Sequence, residues 1–229
     1  AASQNTMDVL HSFGTAAQPA SPSRGRLLET STGVLYGTTT AGSGAIYKLT
    51  PDGLGGHALS VVHSFSGHDG RSPQADLLDG GDGFLYGTTQ NGGGADRGTV
   101  YRIDATMHPT TLHSFGGTDG AEPTAGLLDG GDGFLYGTTY TYTSTIFKIA
   151  RDGSSFVRLR TLCPSEGAEP SGTLVRGNDG FLYGTTRTGY GTGAYYGTLF
   201  RIRMDGSDFA VLHSFTTSTG ARPVGSLLK

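Results

Sequence analysis

Four groups of side chains in this sequence have the types and spacing to do chemistry. Tyr140, Tyr142, Tyr190, Tyr195 and Tyr196, with Arg187 among them, sit in and beside the stretches "TYTYTS" and "RTGYGTGAYYG". Tyrosines flanked by Gly and Thr present flat amphipathic rings, a surface suited to stacking on a sugar or docking a partner. Covering a sheet edge is the structural alternative for the same rings. A second group, His68, Asp69, Arg71, Asp119, Glu122, Glu166, Glu169 and Arg222, falls in four related segments: "SGHDGRSPQA", "GGTDGAEPTA", "PSEGAEPSG" and "TTSTGARPVG". Gathered at one mouth of a ring, these residues would form a charged, mainly acidic funnel for a cation or a cationic ligand.

The third group is Asp79, Asp82, Asp129 and Asp132, in two copies of "LLDGGDG". Clustered carboxylates suit calcium, which takes about six to eight oxygen ligands. Asp-Gly equally suits a tight turn with no ion. The fourth group is His11, His63, His113 and His213, each in an "HSF" motif. They make a metal ring only if they line a common axis, and a structural hydrogen bond to the following turn is the preferred reading.

Several chemistries are poorly supplied. A polysaccharide lyase needs a base and a cation to neutralise a uronate, which His68, Arg71 and the tyrosines would have to provide. A glycoside hydrolase needs two carboxylates about 5 to 10 Å apart, for which Glu122, Glu166 and Glu169 are the candidates. There is no nucleophile elbow, phosphate loop or dinucleotide fingerprint, and no cofactor is implied. The single Cys163 excludes an internal disulfide and a cysteine zinc cluster. Net charge is −3 and the basic residues are scattered, which gives no footprint for nucleic acid. No apolar run approaches the roughly 20 residues of a spanning helix. The opening "AASQNT", without an initiator Met, reads as a processed N-terminus or an artificial boundary and favours a secreted chain.

The elements that must position these groups repeat. "GDGFLYGTT" stands at 81–89 and again at 131–139, with looser copies "STGVLYGTT" at 31–39 and "NDGFLYGTT" at 178–186. The His motifs recur at His11, His63, His113 and His213, with Cys163 in the remaining slot, at steps of 52, 50, 50 and 50 residues. Forty Gly, no Trp and only 15% charged residues accompany the period. That composition favours short strands and tight turns over helices. Each unit reads as four strands: a leucine-pair strand such as Leu77-Leu78, then "FLYGTT", then "GTVYRI" or its kin, then "VLHSF". Asp-Gly turns, with both positions at positive φ, join the first pair and the last pair.

Four-stranded units at a 50-residue period predict an all-β fold, a β-propeller occupying residues 1–229 as one domain. The units run approximately 26–65, 76–115, 126–163 and 173–215. A strand-four copy at Asp8 to Phe13 and a strand-one copy at Ser226 to Lys229 are expected to close the ring with five-fold architecture; a four-bladed ring or a truncated array is the alternative. The string "GDGFLYGTTQNGGG", followed by "GTVYRID" and "TLHSF", resembles the Gly-rich tandem repeats of secreted bacterial proteins known as GloVer (Gloeo/Verruco) repeats, and its strand order resembles a kelch blade. The resemblance implies a secreted propeller and implies no activity.

Within the unit, Tyr36, Tyr86, Tyr136 and Tyr183 with their paired threonines read as packing between blades, or alternatively as one sugar site per blade. Gly87 in mid-strand suggests close approach of a neighbouring backbone. Lys48, Arg102, Lys148 and Arg201 read as solvated or strand-paired charges. The expected function is a non-catalytic extracellular module binding a glycan or polysaccharide. The alternatives are a polysaccharide-degrading enzyme and a structural segment of a larger surface protein.

Overall fold

Every described strand belongs to one of four antiparallel, four-stranded sheets. The computed structural model describes residues 21–23, 25–53, 55–141, 143–189 and 196–228. Sheet one holds β1 (Leu28–Glu29), β2 (Leu35–Thr39), β3 (Ala45–Pro51) and β4 (His57–Ser64). Sheet two holds β5 (Leu78–Asp79), β6 (Leu85–Thr89), β7 (Thr99–Ile103) and β8 (Pro109–Ser114). Sheet three holds β9 (Leu128–Asp129), β10 (Phe134–Thr138), β11 (Thr145–Ala150) and β12 (Phe156–Thr161). Sheet four holds β13 (Val175–Arg176), β14 (Phe181–Thr186), β15 (Thr198–Arg203) and β16 (Ala210–Ser214). Strands pair in chain order within each sheet, so each sheet is one propeller-type blade, and no helix occurs among the described residues.

The repeated phrase explains its own geometry. In "GDGFLYGTT", Asp82 accepts the Phe84 amide at 3.1 Å and the Tyr86 hydroxyl at 2.8 Å. Asp132 does the same for Phe134 and Tyr136, and Asp179 for Phe181 and Tyr183. Positive φ falls on Gly81 and Gly83 and not on Asp82. The Asp is therefore a side-chain cap on a wider turn, and the expected pair of positive-φ turn residues is not what forms. Along the strand, a Cβ on Gly87 would lie 2.5 Å from the Tyr101 ring carbon Cζ. The glycine makes room for a cross-strand aromatic ring rather than for a neighbouring backbone; Gly137 under Phe147 and Gly184 under Phe200 repeat the arrangement.

A register shift recurs at one place in every blade, between Ile46 and Tyr47, Val100 and Tyr101, Ile146 and Phe147, and Leu199 and Phe200. The bulge turns Val62, Leu112 and Leu159 onto the packed face of their strands. It also fixes the repeat alignment. Ile46 pairs His63, Val100 pairs His113 and Leu199 pairs His213, but Ile146 pairs Arg160. Arg160, and not Cys163, occupies the histidine slot of the third unit, which is three residues shorter before that point. Cys163 is exposed in the following turn.

The core lies between blades. Tyr36, Ile46 and Phe65 of blade one pack on Leu77, Tyr101 and Ile103 of blade two. Blades two and three, and then three and four, meet through the same positions. Threonine pairs tie blades two, three and four to the crossing before each: the Thr89 and Thr99 hydroxyls lie 2.8 Å apart, and Thr99 donates to the Asp69 carbonyl at 3.2 Å. A buried hydroxyl needs such a partner. Residues 226–228 form no strand. The strand-four copy at 8–13 lies outside the described residues, as does His11. The described strands thus make four blades, with no hydrogen-bonded fifth.

Candidate functional site

The three segments that join one blade to the next, with the segment just before blade one and the segment after blade four, make five similar crossings. Each contains a non-glycine residue in the left-handed region immediately before a proline: Ser21, Ser72, Glu122, Glu169 and Arg222, with φ between 55° and 59°. Such a conformation costs about 1–2 kcal/mol for an L-residue, so neighbours must hold it. They do so by backbone hydrogen bonds. The amide that follows the Thr-Thr pair of strand two donates to the carbonyl of the left-handed residue: Thr40 to Ser21 at 3.0 Å, Gln90 to Ser72 at 3.0 Å, Tyr140 to Glu122 at 3.1 Å and Arg187 to Glu169 at 3.1 Å.

This frame carries two rings of side chains whose identities differ from blade to blade. Behind them the crossings converge on a cavity of about 670 Å³, lined by residues of all five. Gln74, Gln90, Tyr140, Arg187, Thr173 and Ser226 put polar groups into its wall, and Arg26 and Asp76 add charge.

Two of the three carboxylates are paired with a cation. Asp76 accepts the Arg26 amide at 2.6 Å and faces its Nε at 3.3 Å. Arg187 Nη1 donates to the Tyr140 hydroxyl oxygen at 2.7 Å and approaches Glu169 Oε2 at 3.4 Å, and the Tyr140 hydroxyl donates to the same carboxylate at 3.2 Å. Gln90 Nε2 donates to Glu122 at 3.3 Å, and Gln74 Nε2 donates to Gln90 Oε1. Tyr140, Arg187 and both glutamates are half-buried. What the wall offers a ligand is a set of directional donors and acceptors, a chemistry suited to hydroxyl groups.

The expected tyrosine and arginine group is therefore partly assembled. Tyr140 and Arg187 meet at this mouth, Tyr196 is exposed away from the cavity wall, and Tyr142, Tyr190 and Tyr195 lie outside the described residues. The expected funnel divides. Glu122 and Glu169 stand at the mouth. Asp69 and Asp119 instead accept His63 and His113 Nε2 at 2.6 and 2.7 Å, and Glu166 takes the Arg160 guanidinium. These pairs pin the outer strands of blades one, two and three to their crossings. Arg71 reaches Asp96 on the Gly-rich loop at 2.9 Å, while His68 and Arg222 are exposed.

The acidic turns are likewise occupied. Arg151 bridges Asp82 at 2.9 Å and Asp129 at 2.7 Å. Asp79 and Asp129 accept the Gly81 and Gly131 amides, and Asp132 holds Tyr136. No group of three metal-ligating side chains occurs among the described residues. Arg102, Lys148 and Arg201 lie 4.4 to 4.7 Å over Phe84, Phe134 and Phe181, so the repeated basic position caps an aromatic ring by a cation–π contact rather than standing in solvent. Tyr86 is buried and hydrogen-bonded to Asp82, and these effects push its phenol up to about 12. The four-fold tyrosine is a packing group in the three closed copies.

Sequence reasoning missed Gln74, Gln90, Arg26 and Asp76. A signal for one of them was present: after each "GTT" the next letter changes, from Thr40 to Gln90, Tyr140 and Arg187.

The family model described as the Gloeobacter/Verrucomicrobia repeat matches residues 1–142 and, in a second overlapping match, 40–229. The chain belongs to that family. No curated protein matches it. Among solved structures it is similar to a gluconolactonase from Xanthomonas campestris, with a TM-score of 0.55, 17% identity, and coverage of 85% of this chain and 62% of that one. It is also similar to a protein of unknown function from Bacteroides thetaiotaomicron, with a TM-score of 0.58, 14% identity, and coverage of 89% and 46%. A third likeness is to TolB from Acinetobacter baumannii, with a TM-score of 0.53, 15% identity, and coverage of 86% and 43%. These likenesses concern the fold, and the chain spans less than two thirds of each of those structures.

Proposed function

We propose that this chain is a non-catalytic carbohydrate-binding module whose ligand enters the cavity between the five crossings. The observation that carries the reading is the contrast at the mouth: one backbone frame repeated at each crossing, holding Gln90, Tyr140 and Arg187 at equivalent places where repetition would need only one residue type. A polar wall of this size suits a mono- or oligosaccharide, with the Tyr140 ring as an apolar face and Gln74, Gln90, Thr173 and Ser226 as hydroxyl partners. The two mouth carboxylates already hold hydrogen bonds, which favours binding over hydrolysis. A secreted chain acting on extracellular glycan is the setting proposed for it.

A glycan array followed by titration calorimetry tests the reading. Tyr140→Ala and Gln90→Ala are expected to weaken a hit by at least about tenfold, the loss of about 1.4 kcal/mol, with the melting temperature nearly unchanged. Binding that survives both substitutions and disappears in Tyr86→Phe would place the ligand between blades and overturn it. Release of reducing ends or unsaturated products from the hit would make the protein an enzyme.

A further inference from the structure

Each closed seam between blades has two complementary halves. One blade offers its strand-two Tyr, a strand-three aliphatic residue and the residue that follows strand four, as in Tyr136, Ile146 and Leu162. The next blade covers them with a strand-one Leu, a strand-two Leu and two strand-three residues, here Leu174, Leu182, Phe200 and Ile202. Blade four carries the first half again, as Tyr183, Leu199 and Phe215, and no described residue supplies the second. All three are partly exposed, whereas every counterpart in the other blades is buried. Leu212, beside them, is 45% exposed, where Leu112 and Leu159 are partly buried within their clusters.

Two further positions lack the cover that their counterparts have. On blade one, Leu27 is 46% exposed although Leu77, Leu127 and Leu174 are exposed by 6% or less. Residues 226–228 repeat the strand-one sequence, yet they pair with no strand, and Leu228 is 91% exposed. In the four blades, that strand is always paired to a strand two.

We propose that the open face of blade four is a docking surface for a β-hairpin of this same repeat type. Its first strand carries Leu-Tyr-Gly and its second an aromatic residue, then one residue, then Ile. The three closed seams show what fits, because in each the cover comes mainly from strands two and three of one blade. The first strand of the hairpin pairs along 226–228, and its Leu with the aromatic and Ile residues of the second covers Tyr183, Leu199 and Phe215. An apolar face beside an unpaired strand edge is a strand-addition site. The proposal does not require a ligand in the cavity, although Ser226, Leu227 and Leu228 belong to both surfaces.

The test adds a peptide with the sequence of residues 131–150, which spans β10, its loop and β11, to the intact chain. Expected are saturable binding by calorimetry, a melting temperature that rises with peptide concentration, and slower amide exchange at 212–215 and 226–228. A peptide with Leu135→Asp and Ile149→Asp should do nothing. In the chain, Leu212→Asp should weaken binding at least about tenfold, as expected for losing one buried leucine contact; its partial exposure lets the variant fold, and Leu199→Asp is the second probe. No binding up to millimolar peptide overturns the proposal. So does equal binding to the Leu212→Asp chain, which would put the peptide elsewhere. A concentration-dependent dimer of the chain alone, dissolved by Leu212→Asp, would also overturn it by making a second copy the occupant.

Discussion

The outer part of each blade and the mouth of the cavity are built from the same repeat and treat it in opposite ways. At the outer strands, one solution recurs with its chemistry kept: His63 on Asp69, His113 on Asp119, Arg160 on Glu166. The Tyr-Asp turns and the threonine pairs recur in the same manner. At the mouth, the backbone is conserved from crossing to crossing while the side chains change from Thr40 to Gln90, Tyr140 and Arg187. Repetition with fixed chemistry marks what holds the blades together. Repetition of the frame alone marks where the molecule is free to recognise something.

The sharpest way to break this contrast is to compare one residue from each region. Leu135 is fully buried between blades two and three, and Leu135→Ala should cost about 2–5 kcal/mol through lost transfer energy and the cavity left behind. Arg187→Ala, at a half-exposed site with one weak ion pair, should cost about 0–1 kcal/mol. Denaturant unfolding of both variants decides it; equal losses would dissolve the distinction.

Acid provides a second test on the outer pins. Burial alone would raise the Asp69 carboxyl, but the Ser66 amide and hydroxyl together with His63 outweigh it and hold the group below the usual carboxylate range. At Asp119, burial is likewise outweighed by the Gly116 amide and His113. A folded value below the unfolded value of about 3.9 means that each contribution is complete above that pH and is lost as pH falls through the folded value. The thermal midpoint should therefore drop on acidification below about pH 4, and the Asp69→Asn, Asp119→Asn double variant should start lower and respond less. A parallel shift in both proteins would remove these pairs as the cause.

The smallest expected effect sharpens the comparison from the opposite direction. The Tyr101 hydroxyl is fully buried with no hydrogen-bond partner, at a position where blades three and four carry Phe147 and Phe200. Tyr101→Phe should raise stability by up to about 1 kcal/mol by removing an unsatisfied group, with glycan binding unchanged. A loss of stability would reveal a partner for that hydroxyl.

The blades were legible in the sequence because their constraints are local and recur. An Asp two residues before a Phe and four before a Tyr, a Gly opposite an aromatic, and paired threonines all leave fixed letters at fixed spacing. The alignment failed in the third unit because the loop between β10 and β11 is four residues shorter than that between β6 and β7 and the β11–β12 hairpin is one residue longer, so Arg160 took the slot that counting gave to Cys163. The turn chemistry was read correctly as Asp-Gly but with the wrong backbone, since Asp82 acts through its carboxylate. At the mouth, Tyr140 and Arg187 were visible as departures from the repeat. Gln74 was not, because a single glutamine in a polar loop carries no periodic signal, and only the convergence of crossings far apart in sequence makes it a wall.

The left-handed residue before each crossing proline has one more consequence. At Ser21, Ser72, Glu122 and Glu169 its conformation is held by the neighbouring strand, and these residues show that hydroxyl and acid are both accepted there. Copying a blade therefore delivers a mounted but unwritten position to the same opening. Each duplication extends an alphabet of recognition without altering the fold that displays it, so a new specificity can arise here by rewriting single letters.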